Sequence, residues 1–329
     1  MKDKPFISAI IKTFNEEEGI AATIQSIREQ IGSYPYKIIV ADSLSTDKTQ
    51  EIALENGATV VSLTNSNERC CGVGHQLGYL HSEGDYLLLL DGDMQLEAGF
   101  VDHAITFMEE NTNYAGVAGL VEMDDAANYE FKSRKQRINQ IYPVGDCDHL
   151  GGGGLYRKSA IDEIGYLTNR NLHAFEEAEL GMRLTKSGYK LHRLAVPYFH
   201  HTSYDMSTFE LIKYRWRSGY LFATGELLRN SFGSSHFTHA LKIIKNEVIF
   251  ALYLLILASS LLTLNPTSIG STLLPLVAFV SLKAVKNRSL HDATQSVINL
   301  TIISAGLIRG LFNPVKNPFE APDNKVIQK

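Results

Sequence analysis

The sequence predicts an α/β fold, a mostly parallel sheet with helices on both faces, followed by hydrophobic helices. Three observations carry it. Short apolar runs alternate with amphipathic segments over the first ninety or so residues, the order that builds strand–helix–strand units. Polar clusters close successive strands at 12–17, 42–47 and 91–93. From Val248 the charges vanish and two apolar stretches follow.

Residues 6–11 form a β-rich apolar run that Lys12-Thr13-Phe14-Asn15 ends. Ile20, Ile24, Ile27 and Ile31 then recur at helical spacing, with Glu16, Glu17 and Glu18 expected in the first turn, where the helix dipole favours acids. YKIIVAD (36–42) reads as the second strand, Thr49 to Asn56 as a helix closed by Gly57, and ATVVSL (58–63) as the third strand. GVGHQLGYLHSEG predicts a third helix, and DYLLLL the fourth strand, which runs into Asp91-Gly92-Asp93. In such sheets ligands bind beyond the carboxyl ends of the strands, so the polar clusters converge on one site.

Bulk composition narrows the function. The 329 residues carry a net charge of −5, which argues against a dedicated nucleic-acid binder. Cys70, Cys71 and Cys147 form no CxxC pair, so neither a zinc site nor a disulfide framework is expected, and the compartment reads as reducing. The run Phe6 to Ile11 is too short for a signal peptide's apolar core, so the N-terminal domain is expected to be cytoplasmic.

The expected organisation is a catalytic domain over 1–235, a membrane-associated helical region over 236–315 and a tail over 316–329. A hairpin is expected over 248–264 and 268–285, turning at Asn265-Pro266. Each apolar run is near the short end of what spans about 30 Å of hydrocarbon. Lys242 and Lys245 before it, and Lys283, Lys286 and Arg288 after it, put positive charge on the cytoplasmic side of both ends. A pair of buried helices in a soluble domain is the alternative. The third segment, 296–312, either spans, re-enters or lies in the interface, with Arg309 placed to snorkel.

Two carboxylates one residue apart at a strand tip repel unless a cation sits with them. The plain alternative for Asp91-Gly92-Asp93 is a strand end followed by an Asp-Gly turn. FISAIIKTFNEEEGI, IIVADSLSTDKT, GDYLLLLDGDMQL and FEEAELGMRL occur in the order seen in inverting family 2 glycosyltransferases, and over roughly residues 5–220 the chain resembles that family. The resemblance implies the GT-A nucleotide-diphospho-sugar transferase fold and transfer of a sugar from a nucleotide-sugar donor, with Mn2+ or Mg2+ as cofactor.

What the resemblance implies for each residue follows the motifs. Asp93 matches the direct metal ligand of the family's DxD, and Asp91 the acid that reaches the ribose or metal-bound water. A hard divalent ion there would neutralise the departing diphosphate. Thr13, Asn15 and Glu17 match the first-strand motif that frames the base, with Lys12 where many relatives carry proline. Asp42 matches the acid that binds uracil, which fits a uridine or thymidine donor. Asp47 belongs to the same wall or caps the following helix. Arg69 and His75, at the approach to the third helix, face phosphate or the surface.

On the acceptor side, Glu177 matches the general base of the acidic motif, where the family usually has aspartate, with Glu176 and Glu179 as support. Glu176 and Glu179 share a helix face, and their repulsion would raise one pKa. Gly153, in the run 151–154, is expected beside the donor sugar, with Asp146 and Asp148 placed to orient a hydroxyl. The resemblance implies that His200 or His201 completes the metal or phosphate site; a structural histidine is the alternative. KYRWRSGYLFATGEL has Ile212 where processive relatives have the glutamine of QxxRW, which implies transfer of a single sugar, and Arg215, Trp216 and Arg217 are placed to meet phosphates or the membrane surface. The expected acceptor is a lipid, a lipid-linked sugar or a cell-surface glycan precursor; a phosphate acceptor needs no strong base. The alternatives are a catalytically silent GT-A-like scaffold, and a nucleotidyltransferase, which would want a glycine-rich basic loop where this chain has KTFNEEE.

Overall fold

The computed structural model describes residues 4–123, 137–201 and 208–328. The chain forms two compact units, Met1–Tyr214 together with Val315–Lys329, and Arg215–Pro314. The contacts divide the chain after Tyr214, and the segment expected as a tail belongs to the first unit.

In the first unit β1 (Ile7–Thr13), β2 (Tyr36–Asp42), β3 (Thr59–Leu63) and β4 (Tyr86–Asp91) are parallel neighbours in the order β3-β2-β1-β4. Ile10, Ile11, Ile39, Val40 and Leu87 to Leu90 are all buried, as central parallel strands covered on both faces require. Between these strands run α1 (Ile20–Ile31), α2 (Thr49–Glu55) and α3 (Cys71–Tyr79). Helix α1 buries Ile20, Ile24, Ile27 and Ile31, the stripe that the spacing predicts. Its first turn holds no acid, however. Glu16 to Glu18 form the turn before it, because their backbone is tied to the loop after β2.

Beyond β4 the sheet becomes mixed. After β5 (Met94–Leu96), α4 (Phe100–Glu110) and β6 (Tyr114–Met123) come the short helix α5 (Ile138–Ile141), β7 (Gly145–Cys147), β8 (Gly154–Arg157), α6 (Lys158–Ile164), α7 (Glu176–Lys186) and β9 (Lys190–His201). β8 lies antiparallel between β4 and β6, while β9 runs parallel to β6 and antiparallel to β5 and β7. Strands β1, β2, β3, β4, β6 and β9 thus share one direction. Near the C-terminus β10 (Asn324–Ile327) pairs antiparallel with the edge strand β3. Glu68 anchors the same segment, paired with Arg170 and with Lys316 at 3.2 Å.

The ladder fixes the site. Thr13 pairs with Asp42 across β1 and β2, and Lys12 pairs with Asp91 across β1 and β4, so three strand ends lie level.

The second unit takes the end of α8 (Thr208–Arg217), then α9 (Ala223–Ser231), α10 (Phe237–Ile243), α11 (Lys245–Leu262), α12 (Pro266–Asn287) and α13 (Leu290–Leu311). Among the described residues α11 and α12 are the two helices long and apolar enough to cross a membrane, each with mean hydropathy 1.6. Asn265 caps α12 through its side chain and Pro266 takes the first turn, where no N–H is needed. Helix α13 is not a third such segment. It packs through glycines: a Cβ on Gly306 would lie 2.1 Å from the Leu221 carbonyl oxygen, and one on Gly310 would lie 2.0 Å from that of Phe222. Arg309 stacks on the Phe222 ring at 4.9 Å.

Candidate active site

The loops after β1 and β2 are zipped together. Asn15 takes a left-handed backbone (φ 58°), which asparagine tolerates, and its side-chain oxygen accepts the Thr46 N–H at 2.8 Å. Its own N–H donates to Ser45 Oγ at 2.9 Å. Glu17 accepts from Lys48 N–H at 3.0 Å, and Asp47 accepts from both Glu17 N–H and Thr49 N–H. Asp47 thus ties the loop after β1 to the first residue of α2, whose N-cap position is Lys48.

Asp42 is fully buried and accepts from Ser45 N–H, Gln50, Ser62 and Thr13. Its oxygens organise this wall from beneath. Arg69 closes the rim, donating to the carbonyls of Ser43 and Leu44 and stacking on Phe14 at 4.0 Å.

At the tip of β4 the carboxylate Oδ1 of Asp91 lies 3.3 Å from Lys12 Nζ and 3.7 Å from His75 Nε2. His75 sits inside α3, wholly buried, not before it. Burial pushes it down to about 4, so it is neutral near pH 7. Asp93 is partly exposed beside Gly92, where a Cβ would crowd Glu16 and Thr13. The β5–β9 ladder carries the backbone of His200 and His201 to this end, opposite Gln95 and Met94. His200 is half-buried, and the His201 side chain lies outside the described residues.

The acidic helix α7 starts from Phe175, itself left-handed at φ 66°. Its three acids separate. Glu179 is buried against Arg183, 2.9 Å away, and Tyr166. Glu176 turns to Lys12 at 3.2 Å. Glu177 accepts the Gly153 N–H at 2.6 Å, and burial followed by the neighbouring Glu176 raises it to about 7. The raised acid is thus Glu177, whereas Glu176 and Glu179 each lie beside their own cation. Gly151, Gly152, Gly153 and Gly154 all have positive φ, and a Cβ on Gly153 would lie 2.1 Å from the Leu89 carbonyl oxygen. Asp146 is held at the sheet edge by His192, Tyr114 and Lys190, not at the site.

Residues 8–165 match the family model described as glycosyl transferase family 2. The chain carries a glycosyl transferase family 2 domain. This glycosyltransferase is 27% identical over 208 residues to EpsE of Bacillus subtilis (strain 168), covering 59% of this chain and 72% of EpsE. It is 25% identical over 216 residues to the dolichyl N-acetyl-alpha-D-glucosaminyl phosphate 3-beta-D-2,3-diacetamido-2,3-dideoxy-beta-D-glucuronosyltransferase of Methanococcus voltae, covering 57% of this chain and 64% of that one. In fold it is similar to the mannosyltransferase PcManGT of Pyrobaculum calidifontis, solved with GDP-Man and Mn2+, at TM-score 0.61 and 15% identity over 94% of this chain and 88% of that one. S. aureus TarS 1-349 aligns at TM-score 0.51 and 16% identity over 92% and 91% of the two chains. Both share the GT-A architecture.

The glycosyltransferase's donor set fits a divalent cation. Asp91, Asp93 and Glu16 offer hard carboxylate oxygens, and the ammonium of Lys12 already stands on one of them. Burial, then Asp93, Asp91 and Asp47, push Glu16 up to about 8, the mark of excess negative charge. Among the described residues no three such groups enclose an ion by themselves. Glu16 and Lys12 were not among the site residues expected from sequence. Glu16 was hidden in a run of three acids; Lys12 carried one signal, a charged residue ending an otherwise apolar strand.

Proposed function

We propose that this glycosyltransferase moves one sugar, with inversion, from a uridine- or thymidine-diphosphate donor to a lipid-linked or glycan acceptor at the cytoplasmic face of a membrane. The observation that carries the reading is Glu177: a half-buried carboxylate raised to about 7, oriented by the Gly153 amide, at the same sheet end as Asp91 and Asp93. A base with that pKa accepts a hydroxyl proton near neutral pH. The acceptor oxygen then bonds to the anomeric carbon as the nucleoside diphosphate leaves from the opposite face.

Thr13, Asn15, Glu17, Asp42 and Arg69 shape the nucleotide wall, with Asp42 acting through the loop it holds. Gly153 serves the base. Glu176 acts through Lys12, as a positioning group. Asp93, with Asp91 and one of His200 and His201, would hold Mn2+ or Mg2+, which when bound neutralises the diphosphate leaving group. The metal in the GDP-Man complex of PcManGT supports that assignment, and the dolichyl-linked substrate in the Methanococcus voltae enzyme's name supports a lipid acceptor. The exposed apolar faces of α11 and α12, including Leu252, Ile256, Leu274 and Leu282, support the membrane hairpin.

The test is transfer by the full chain in detergent, against a panel of sugar nucleotides with and without Mn2+, with the product anomer read by NMR. Metal-dependent transfer with inverted configuration is expected. Retained configuration, or no turnover with any donor, overturns the reading.

A further inference from the structure

Lys12 ends β1 as the register partner of Asp91, and its ammonium touches two acids from distant parts of the chain. Nζ lies 3.3 Å from Asp91 Oδ1 and 3.2 Å from Glu176 Oε1. This is not a loose surface side chain. Only a fifth of it is exposed, and its stem lies on Gly74, where a Cβ would come within 2.7 Å of Lys12 Cβ. Burial works against its charge, but Asp91 and Glu176 outweigh that and hold its pKa well above the ordinary lysine value. His75, the other group on Asp91 Oδ1, is neutral.

We propose that Lys12 is an internal counter-ion that competes with a divalent cation for Asp91, so that cation binding depends on the added charge of a diphosphate. The proposal takes from the function above only the presence of a divalent ion at this site. An ion on Asp91 Oδ1 would sit about 2.1–2.6 Å from that oxygen and against the ammonium, so one of the two must yield. Glu176 gives the displaced ammonium a second partner, which keeps the exchange open. A bound diphosphate attracts both cations and relieves the conflict. Without it, Lys12 already satisfies much of what Asp91 offers.

The experiment is a Mn2+ titration of the full chain in detergent, followed by the EPR signal of free Mn2+, with and without UDP. Lys12→Met should tighten Mn2+ binding at least fivefold without UDP and narrow the gain from adding UDP. In an Asp91→Asn background the same substitution should have under a twofold effect. Binding no tighter in Lys12→Met overturns the proposal. So does equal tightening in both backgrounds, because that is a general charge effect and not competition for Asp91. Lys12→Gln repeats the comparison with a stem that still packs on Gly74. Asp91→Asn in the native background, titrated without UDP, is a further independent arm: under twofold loss of Mn2+ affinity is expected there, and a tenfold loss overturns the idea. The titration needs no turnover, so failure of the transfer assay and failure of this proposal are separate results.

Discussion

Gly153 donates its backbone N–H to Glu177 Oε1 at 2.6 Å, so a loop built of left-handed glycines aims the carboxylate at the start of α7. The hydrogen bond favours the ionised acid, while burial and Glu176 oppose it, and the balance lies at about 7. A carboxylate so poised is half charged at neutral pH.

Glu177→Gln should therefore cut transfer at least tenfold, the low end for losing a general base. Donor affinity should stay within twofold, because the residue serves the acceptor. Since the base works ionised, kcat in the native enzyme should fall as pH drops below about 7. Steady-state rates from pH 5.5 to 9 check both, and a flat profile would remove Glu177 from the reaction.

Asp93→Ala should abolish the Mn2+-dependent part of UDP binding, measured calorimetrically. Binding that keeps its metal dependence would move the ion elsewhere.

Gly153→Ala tests the loop. Its Cβ would lie 2.1 Å from the Leu89 carbonyl oxygen on a backbone at φ 92°. A strained residue of this kind costs about 1–3 kcal/mol, so a lower Tm in calorimetry should accompany a fall in kcat.

Glu68 anchors the returning C-terminal segment and is nearly buried. Burial alone would raise its pKa, but Arg170 and Lys316 overcome that and lower it. A depressed carboxylate stabilises the fold above its unfolded pKa of about 4.3 and loses that contribution as pH falls through the lower folded value. Glu68→Gln should cost roughly 3 kcal/mol near pH 7, as removing one partner of a buried pair does. The difference from the native protein should shrink in acid, as denaturant melts at pH 7 and pH 3.5 would show.

Much of the architecture was legible in sequence for physical reasons. Strands β1 to β4 are buried on both faces, so their apolar runs stand out, and the polar residues ending them mark one sheet end. The bridge between Lys12 and Glu176 was not legible. It joins residues far apart in sequence, and lysine in a strand reads as an edge or a surface. The same holds for Glu176 and Glu179: helical spacing put them on one face, but each has its own cation, Lys12 and Arg183. β10 escaped notice because NKVI is too short and too polar to read as a strand until β3 offers it an edge.

That last strand has a consequence for how the protein is made. Asn324–Ile327 follow α11 and α12 in the chain, yet they pair with β3, which precedes both helices. Until they emerge, β3 carries an open row of N–H and C=O groups, the feature through which chains pair wrongly. The catalytic unit is therefore sealed only after both apolar helices have left the ribosome, and a nascent chain stalled between them carries a sticky edge.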